Sequence, residues 1–362
     1  MTLKYLIRER LRGLENSAGV KARDDIEDIL IGMADYVPLD YVTEAGKSGS
    51  AMALIKAHRE RYKILKGVVS SLKPGDELVI QFPMFGDSIF AVRLFKKLTS
   101  SGVRVRFIVH DLEMFRDIMR KDVPLKKRIK MAVEEKNVLK SADRVIVHNV
   151  RMLEKLREAG IPADIMATIN IFDYLIPDYD ANAGEIQKNI GYGKPVIIAG
   201  NLMREKAGYV YKLPSDVEFN LYGISYEGEQ GENEHYHGVF APDELPFKIE
   251  GSFGLVWDGT SADTCAGVFG EYLKVNNPHK TSLYIAAGIP VIIWSEAALA
   301  GFIEEHNCGL TVNSLNDIAA RLAALSEEEY AAMLKGAKET GEDCYVKNLK
   351  KKINRLLISV SV

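Results

Sequence analysis

The sequence predicts an α/β fold built from two doubly wound domains in tandem. Apolar runs rich in Val and Ile, such as residues 77–83 and 290–295, are typical of strands buried on both faces of a parallel sheet. Helical segments alternate with these runs, which is the pattern of βαβ units. The alternation stops at a polar stretch, residues 172–194, which carries Pro177 and three glycines, and then begins again. A chain of 362 residues has room for two domains of ordinary size.

The first domain is predicted over residues 1–175. Its N-terminal residues, MTLKYLIRERLRG, indicate the start of an amphipathic helix; a second helical stretch follows, and residues 37–51 show no clear period. Asp87 directly precedes a helix and is expected to cap it. The remaining elements are helix 64–72, strand 77–83, helix 89–102, strand 103–111, helix 128–142, strand 144–149, helix 151–160 and an extended segment, 162–169.

Residues 176–194 are predicted to be the interdomain linker, and residues 195–344 the second domain. Ser326 and Glu329 have the spacing of a capping box for a helix from Glu327. A final basic helix is expected over residues 345–362. The other elements of the second domain are strands 195–201, 217–223, 236–240, 253–257, 290–295 and 308–313, with helices 297–307 and 315–325.

Composition excludes several classes of protein. The chain has 47 basic and 50 acidic residues, so its net charge of −3 gives no general reason to expect nucleic-acid binding. Three widely spaced cysteines form no CxxC pair, which argues against a disulfide framework or a zinc ribbon. No signal peptide or membrane-length apolar run is present, so we expect a cytoplasmic protein.

Peripheral contact with the inner face of a membrane is compatible with one local feature. Six basic residues cluster in a short stretch: Arg120, Lys121, Lys126, Lys127, Arg128 and Lys130. A solvated helix face is the favoured interpretation of such a run. Contact with anionic lipid or a phosphorylated acceptor is the alternative.

The most informative stretch runs from Trp257 to Ser295. It reads as a strand end, a polar loop, a short apolar helix that begins near Lys280, and a buried strand. A loop that leads into the N-terminus of a helix on a parallel sheet forms an anion site, because unpaired N–H groups and the helix dipole point toward it. A lysine in the first turn opposes the dipole unless an anion, such as a diphosphate, lies beside it. The alternative is a capped surface helix with a solvated lysine.

Ligands of doubly wound domains bind at the carboxyl ends of the strands. In the second domain, Arg204 and Lys206 follow the first strand and could contact phosphate, although an exposed loop of mixed charge is the alternative. In the first domain, His110 and Asp111 follow a strand and could supply a general base. For Asp87, helix capping is favoured over catalysis.

Other motifs argue against competing sites. No GxGxxG follows a strand, and no complete P-loop, GxSxG or HExxH motif occurs. The triplet Asp178-Tyr179-Asp180 could hold a divalent metal against a diphosphate, but it lies in the linker and is interpreted as a solvated pair. We therefore expect neither a metal nor another cofactor.

A family resemblance rests on the block NNPHKTSLYIAAGIPVIIWSEAALAGFIEEHNCG and on blocks that span most of the chain, including IVHDLE, AGNLMREKAGYVYKL, LYGISYEG, HGVFAPDELP and GSFGLVWDGTS. In their order they resemble bacterial GT-B glycosyltransferases that extend O-glycans on serine-rich adhesins, together with related galactofuranosyltransferases. The resemblance implies two Rossmann-like domains facing across a cleft, with a C-terminal helix that returns to the N-terminal domain.

The resemblance also implies a UDP-sugar donor on the second domain and an acceptor mainly on the first. Asn201, Tyr222, Asn276, Asn277 and Lys280 lie in its donor-binding blocks. With the strand-end residues and the helix turn, the predicted donor site comprises Asn201, Arg204, Lys206, Tyr222, Gly223, Asp258, Asn276, Asn277, Lys280 and Thr281. Asp258 is interpreted as shaping the loop or contacting the sugar, and the resemblance leaves the base open between Asp111 and His110.

The expected reaction moves glucose, galactose or galactofuranose to a saccharide hydroxyl, with inversion and without metal. The acceptor would be carried by a glycoprotein, a lipid carrier or a polysaccharide intermediate, and the resemblance favours a homo-oligomer. Two alternatives remain at this point. One is an inactive GT-B partner of another transferase, and the other is a nucleotide-sugar epimerase of the same fold.

Overall fold

The computed structural model describes residues 2–12, 18–44, 51–86, 89–116 and 123–344. These residues form two compact units that divide between Asn170 and Ile171. Each unit contains a six-stranded sheet whose paired strands all run parallel. The predicted α/β class with two doubly wound sheets is confirmed. The predicted helix 345–362 and the predicted cap Asp87 lie outside the described residues.

The first unit has the strand order β2-β1-β3-β4-β5-β6. Because the chain turns back between β1 and β3, the switch point of this sheet lies between those two strands. Its strands are β1 (Lys4–Arg12), β2 (Val37–Glu44), β3 (Glu77–Phe82), β4 (Arg104–Val109), β5 (Arg144–Val147) and β6 (Met166–Thr168). Its described helices are α1 (Ala18–Ala34), α2 (Ala51–Val68), α3 (Ala91–Ser100), α4 (Glu113–Arg116), α5 (Leu125–Leu139) and α6 (Val150–Glu158).

The N-terminal segment is a strand, so the predicted amphipathic helix there is wrong. β1 pairs with both β2 and β3, and the consecutive residues Leu6 and Ile7 are both buried, as in a strand covered on two faces. Its charged residues have partners far along the chain. The Arg8 guanidinium lies 2.6 Å from the Asp40 carboxylate on β2, for example. β2 also occupies most of the stretch in which no period was found.

The second unit has the strand order β12-β11-β10-β7-β8-β9. Its switch point lies between β7 and β10, where the chain changes the direction in which strands are added. Its strands are β7 (Val196–Asn201), β8 (Phe219–Ile224), β9 (Glu234–Tyr236), β10 (Gly254–Val256), β11 (Val291–Trp294) and β12 (Gly309–Val312). Its described helices are α7 (Tyr179–Lys188), α8 (Arg204–Ala207), α9 (Gly267–Tyr272), α10 (His279–Ala286), α11 (Ala300–Glu305), α12 (Ile318–Ala323) and α13 (Glu327–Cys344).

The core of the second unit extends into the predicted linker. Ile176 and Ile186 of that segment are buried in the same apolar cluster as the strands. The helix α7 lies within the same segment. The cluster includes Trp257 and Trp294, whose ring centroids are 6.4 Å apart in an edge-to-face arrangement. The segment 176–194 is therefore largely a folded part of this unit.

Two further sequence features have clear structural outcomes. The capping box before α13 is confirmed, since the Glu329 carboxylate accepts the backbone N–H of Ser326 at 2.9 Å and the Ser326 hydroxyl accepts that of Glu329 at 3.2 Å. None of the helices in the described part of the chain is long and apolar enough to cross a membrane.

Candidate functional site

The N-terminus of α10 lies next to the switch point of the second sheet, where β10 ends. The helix begins at His279 after Pro278, without a side-chain cap and without an acidic residue in its first turn. Its first N–H groups and the positive end of its dipole are therefore not neutralised by the usual capping carboxylate or hydroxyl. An uncapped helix N-terminus of this kind is compatible with the predicted anion site, which stays a prediction here.

Lys280 forms a buried ion pair at this terminus. Its ammonium lies 2.8 Å from the Asp258 carboxylate and donates at 2.8 Å to the Trp257 carbonyl. The two side chains are only 13% and 7% exposed, which excludes the alternative of a solvated surface lysine. An ammonium has three donors, and these contacts use two of them. Lys280 therefore both anchors the loop after β10 and retains one donor.

Two buried oxygens beside this pair lack hydrogen-bond partners within the described chain. They are the Thr281 hydroxyl, on a residue with no exposed surface, and the Asn276 amide oxygen. Buried polar atoms are paired in the great majority of cases. Two unpaired oxygens, one in the first turn of α10 and one in the loop before it, therefore make this terminus a polar part of the unit. Asn277, between them, is 4% exposed.

The loops that surround the terminus are held by their backbones. The Asn201 side-chain oxygen accepts the N–H of Met203 at 3.0 Å, which shapes the turn after β7. The Lys206 carbonyl accepts the N–H of Gly259 at 2.6 Å and joins α8 to the loop after β10. The Lys206 ammonium lies 6.0 Å from the ring centroid of Phe269. These residues frame the site mainly through main-chain contacts.

Gly223 allows β7 and β8 to approach each other closely near the carboxyl ends of these strands. A Cβ atom there would lie 1.7 Å from the carbonyl oxygen of Gly200, its partner in the β7–β8 register, and its φ is +147°. Only glycine is compatible with both conditions. The role of Gly223 in this structure is to make room for the backbone.

Two predicted donor-site residues are engaged elsewhere. The Arg204 side chain is 58% exposed, stacks 4.0 Å from the ring centroid of Tyr211 and lies 3.7 Å from the Glu227 carboxylate. Tyr222 is 2% exposed, and its hydroxyl accepts the N–H of Glu250 at 3.1 Å. These contacts place the Arg204 side chain on the surface of its loop and Tyr222 in the core.

In the first unit, His110 is held by a buried glutamine. Its Nε2 lies 2.6 Å from the side-chain oxygen of Gln81, whose amide nitrogen donates to the Arg23 carbonyl at 3.2 Å. Because a carbonyl can only accept, the glutamine oxygen must face the histidine, and Nε2 must carry a proton. Asp111 is half-exposed and lies 3.7 Å from the Arg116 guanidinium.

A cluster at the switch point of the first sheet was not predicted. The Glu9 carboxylate accepts the N–H groups of Phe85 and Gly86 at 3.0 and 2.8 Å, and Arg23 lies 3.6 Å from Glu9 and 4.2 Å over the ring of Phe85. Nearby, burial raises the pKa of Glu27 to about 7. No sequence signal singled out Glu9, because its segment was predicted to be the start of an amphipathic helix.

A second buried carboxylate supports the loop that carries His110. The Glu135 side chain on α5 accepts the N–H of Glu113 at 3.0 Å and that of Met114 at 2.6 Å, which caps the first turn of α4. Burial raises the pKa of Glu135 to about 7, although these hydrogen bonds oppose that shift. α5 and the His110 loop are therefore mechanically connected.

The described residues contain no group of three His, Cys, Asp or Glu side chains arranged to hold a metal ion. Asp178 of the DxD triplet adopts a left-handed conformation, φ 51°, at the start of α7. It serves as the turn that begins that helix.

Comparison with known families gives a match over nearly the whole chain. The model of the N-terminal domain of glucosyltransferase 3-like proteins matches residues 4–171, and the model of their C-terminal domain matches residues 196–350. The chain is 33% identical over 324 residues to the beta-1,6-galactofuranosyltransferase WbbI of Escherichia coli K12, which covers 89% of this chain and 88% of WbbI. It is 24% identical over 285 residues to glucosyltransferase 3 of Streptococcus parasanguinis, 77% of each protein.

Several solved structures share the fold at low sequence identity. Sucrose-phosphate synthase from Thermosynechococcus elongatus superposes with a TM-score of 0.62 at 14% identity, over 98% of both chains. WaaG, a glycosyltransferase involved in lipopolysaccharide biosynthesis, gives 0.60 at 12% identity, over 99% of this chain and 100% of its own. Anabaena HepE, solved with UDP and glucose, gives 0.56 at 12% identity, over 99% and 100% of the two chains.

Proposed function

Because the chain belongs to the glucosyltransferase 3-like family and has the GT-B fold, we propose that it is a glycosyltransferase that moves a hexosyl group from a UDP-sugar to a saccharide hydroxyl. Its relatives carry the names of galactofuranosyl- and glucosyltransferases, which sets the range of sugars. The N-terminus of α10 is the donor site in this proposal.

The observation that carries the proposal is the Lys280 ammonium, which retains one donor at a helix N-terminus without a cap. The Thr281 hydroxyl and the Asn276 amide oxygen are buried without partners among the described residues, at a helix terminus with no cap. A nucleotide diphosphate supplies negative charge for the first N–H groups of α10, for the helix dipole and for the Lys280 ammonium.

Leaving-group stabilisation follows from the same geometry. As the bond to the sugar breaks, negative charge grows on the diphosphate, and preorganised donors aimed at that charge lower the barrier. The third donor of Lys280 and the first N–H groups of α10 provide such stabilisation. Asp258 keeps the ammonium in place at 2.8 Å, so little reorganisation accompanies the step.

We further propose His110 as the general base that accepts the proton of the acceptor hydroxyl. Gln81 holds the ring in a fixed orientation after β4, as a positioned base requires. Asp111, the other candidate, lies beside Arg116, which stabilises its carboxylate and makes it the weaker base. Direct attack by the activated hydroxyl on the anomeric carbon inverts the configuration, and the basic donor site makes a metal unnecessary. Full activity in EDTA and an inverted product anomer by NMR are the expected results.

Calorimetric titration with UDP tests the donor site. Lys280→Ala removes a charge-assisted contact to phosphate, so we expect its affinity for UDP to fall roughly 10- to 100-fold. Lys194→Ala is the matched control, because Lys194 also contacts one carboxylate, Glu250 at 3.0 Å, and one carbonyl, that of Asn189 at 3.1 Å. Equal affinity in wild type and Lys280→Ala would refute the assignment. Absence of UDP binding by the wild type would refute the donor.

A panel of UDP-sugars then identifies the sugar through slow donor hydrolysis without acceptor. Release of UDP with one sugar only would define the specificity. Binding of UDP without turnover of any sugar, even with saccharide acceptors, would instead indicate an inactive partner of another transferase.

A further inference from the structure

An apolar stripe on α5 is exposed. Leu125, Ile129 and Val133 follow each other at four-residue spacing, so they lie along one face of the helix. They are 59%, 54% and 50% exposed, which is unusual for three large apolar side chains in a row. We call this face the α5 stripe.

The same helix is strongly basic. The sequence LKKRIKMAVEEKNVL contains five basic residues and two acidic ones in a chain whose net charge is −3. One of the two acidic residues, Glu135, is turned inward to cap α4. In the sequence, Lys126 and Lys130 each follow a stripe residue by one position.

We propose that the α5 stripe docks on an anionic lipid surface, with α5 lying in the interfacial plane. A helix of basic composition with one exposed apolar stripe satisfies both requirements of such a surface: apolar side chains for the acyl boundary and positive charge for the headgroups. A protein partner would need acidic residues around an apolar groove. The lipid surface is the occupant that matches the charge and also accepts a single, isolated helix face.

The docking surface is tied to the candidate active site. Glu135, on the same helix, accepts the N–H groups of Glu113 and Met114, directly after His110 and Asp111. Docking through α5 therefore holds the candidate base close to the membrane surface. If the proposed transferase function holds, the acceptor class that this placement favours is a saccharide carried on a lipid.

Vesicle co-sedimentation of the full chain tests the docking. We expect binding to mixed phosphatidylcholine–phosphatidylglycerol vesicles, weaker binding to phosphatidylcholine alone, and loss of the difference at high salt. Ile129→Ser/Val133→Ser should weaken binding to the mixed vesicles at least ~10-fold, because it removes two apolar side chains from the stripe. The control is Ile64→Ser/Val150→Ser, the same substitutions at residues that are 44% and 58% exposed on α2 and α6.

Three results would overturn the proposal. One is no binding of the wild type to the mixed vesicles, and another is equal weakening by the stripe and control variants. The third is a change of oligomeric state in the stripe variant, measured by light scattering, with vesicle binding intact, which would make the stripe a protein interface. Titration of the stripe variant with UDP distinguishes failure of the docking proposal from failure of the transferase proposal. Vesicle binding can be lost while UDP still binds, and UDP binding can be absent while the chain still binds vesicles.

Discussion

The ion pair between Lys280 and Asp258 permits a quantitative prediction about the second unit. Lys280→Met retains the length of the side chain and removes its charge, which leaves the Asp258 carboxylate, 7% exposed, without its partner at 2.8 Å. Breaking a buried pair in this way costs about 3–5 kcal/mol of unfolding free energy. In a unit of this size, each kcal/mol of lost stability lowers the midpoint of thermal unfolding by about 2–4 °C. The midpoint of Lys280→Met should therefore fall by roughly 6–20 °C.

The double variant Asp258→Asn/Lys280→Met separates stability from ligand binding. With both charges removed, most of the lost stability should return, because neutral replacement of a buried pair is close to neutral in free energy. If Lys280 contacts the diphosphate, the double variant should remain folded and still bind UDP poorly.

Differential scanning calorimetry of the wild type, Lys280→Met, Asp258→Asn and the double variant gives a double-mutant cycle for stability. Titration of the same four proteins with UDP gives the corresponding cycle for ligand binding. If Lys280→Met lowered the free energy of unfolding by less than about 1 kcal/mol, Asp258 would be hydrated and the pair would contribute only as much as an exposed ion pair. A double variant with wild-type stability and wild-type affinity for UDP would refute the phosphate contact and leave Lys280 a purely structural residue.

Four further predictions use other parts of the chain. Gly223→Ala should destabilise the second unit by at least ~3 kcal/mol in denaturant unfolding, since its Cβ would overlap a carbonyl on the neighbouring strand. Gly184→Ala, in open space on α7, should instead stabilise it by about 0.5–1 kcal/mol. Burial lowers the pKa of His148 to about 4, below its ordinary value of 6.5. The unfolded state therefore binds the proton first, and the stability of the folded state should fall as the pH drops from 6.5 to 4. His148→Gln should remove about 3 kcal/mol of this pH dependence in melting curves, and an unchanged slope would contradict the assignment. Gln81→Glu should raise the pKa of His110 and move the acidic limb of the kcat/KM profile upward by about one pH unit, whereas a merely structural role would lower the rate without moving the limb.

The parallel sheets were largely predictable because most residues of their buried strands are apolar. β3 and β11, for example, are buried at every position and read directly from the sequence. β1 could not be read in this way, since five of its nine residues are charged. Those charges become acceptable in a central strand only through partners such as Asp40 and Glu27, which the sequence does not place beside them.

The candidate site was predictable where one residue opposed a local rule. Lys280 in the first turn of a helix is unfavourable without an anion, and that conflict pointed to this terminus, where α10 begins at His279. Its pairing with Asp258, 22 residues earlier, needed the fold. Tyr222 shows the opposite case. It lies in a family block, yet its direction is set by the pleat of β8 and by its hydroxyl contact with Glu250, neither of which sequence spacing reveals.

The distribution of tryptophan makes the second unit optically distinguishable from the first. The chain contains two tryptophans, Trp257 and Trp294, and both lie in the core of that unit. Excitation of indole therefore reports only on its unfolding, whereas circular dichroism sums the helices of both units. The carbonyl of Trp257 accepts the Lys280 ammonium, so one of these fluorophores is one hydrogen bond from the proposed phosphate site. Emission should change when UDP binds, which gives the protein a built-in, label-free sensor of its donor.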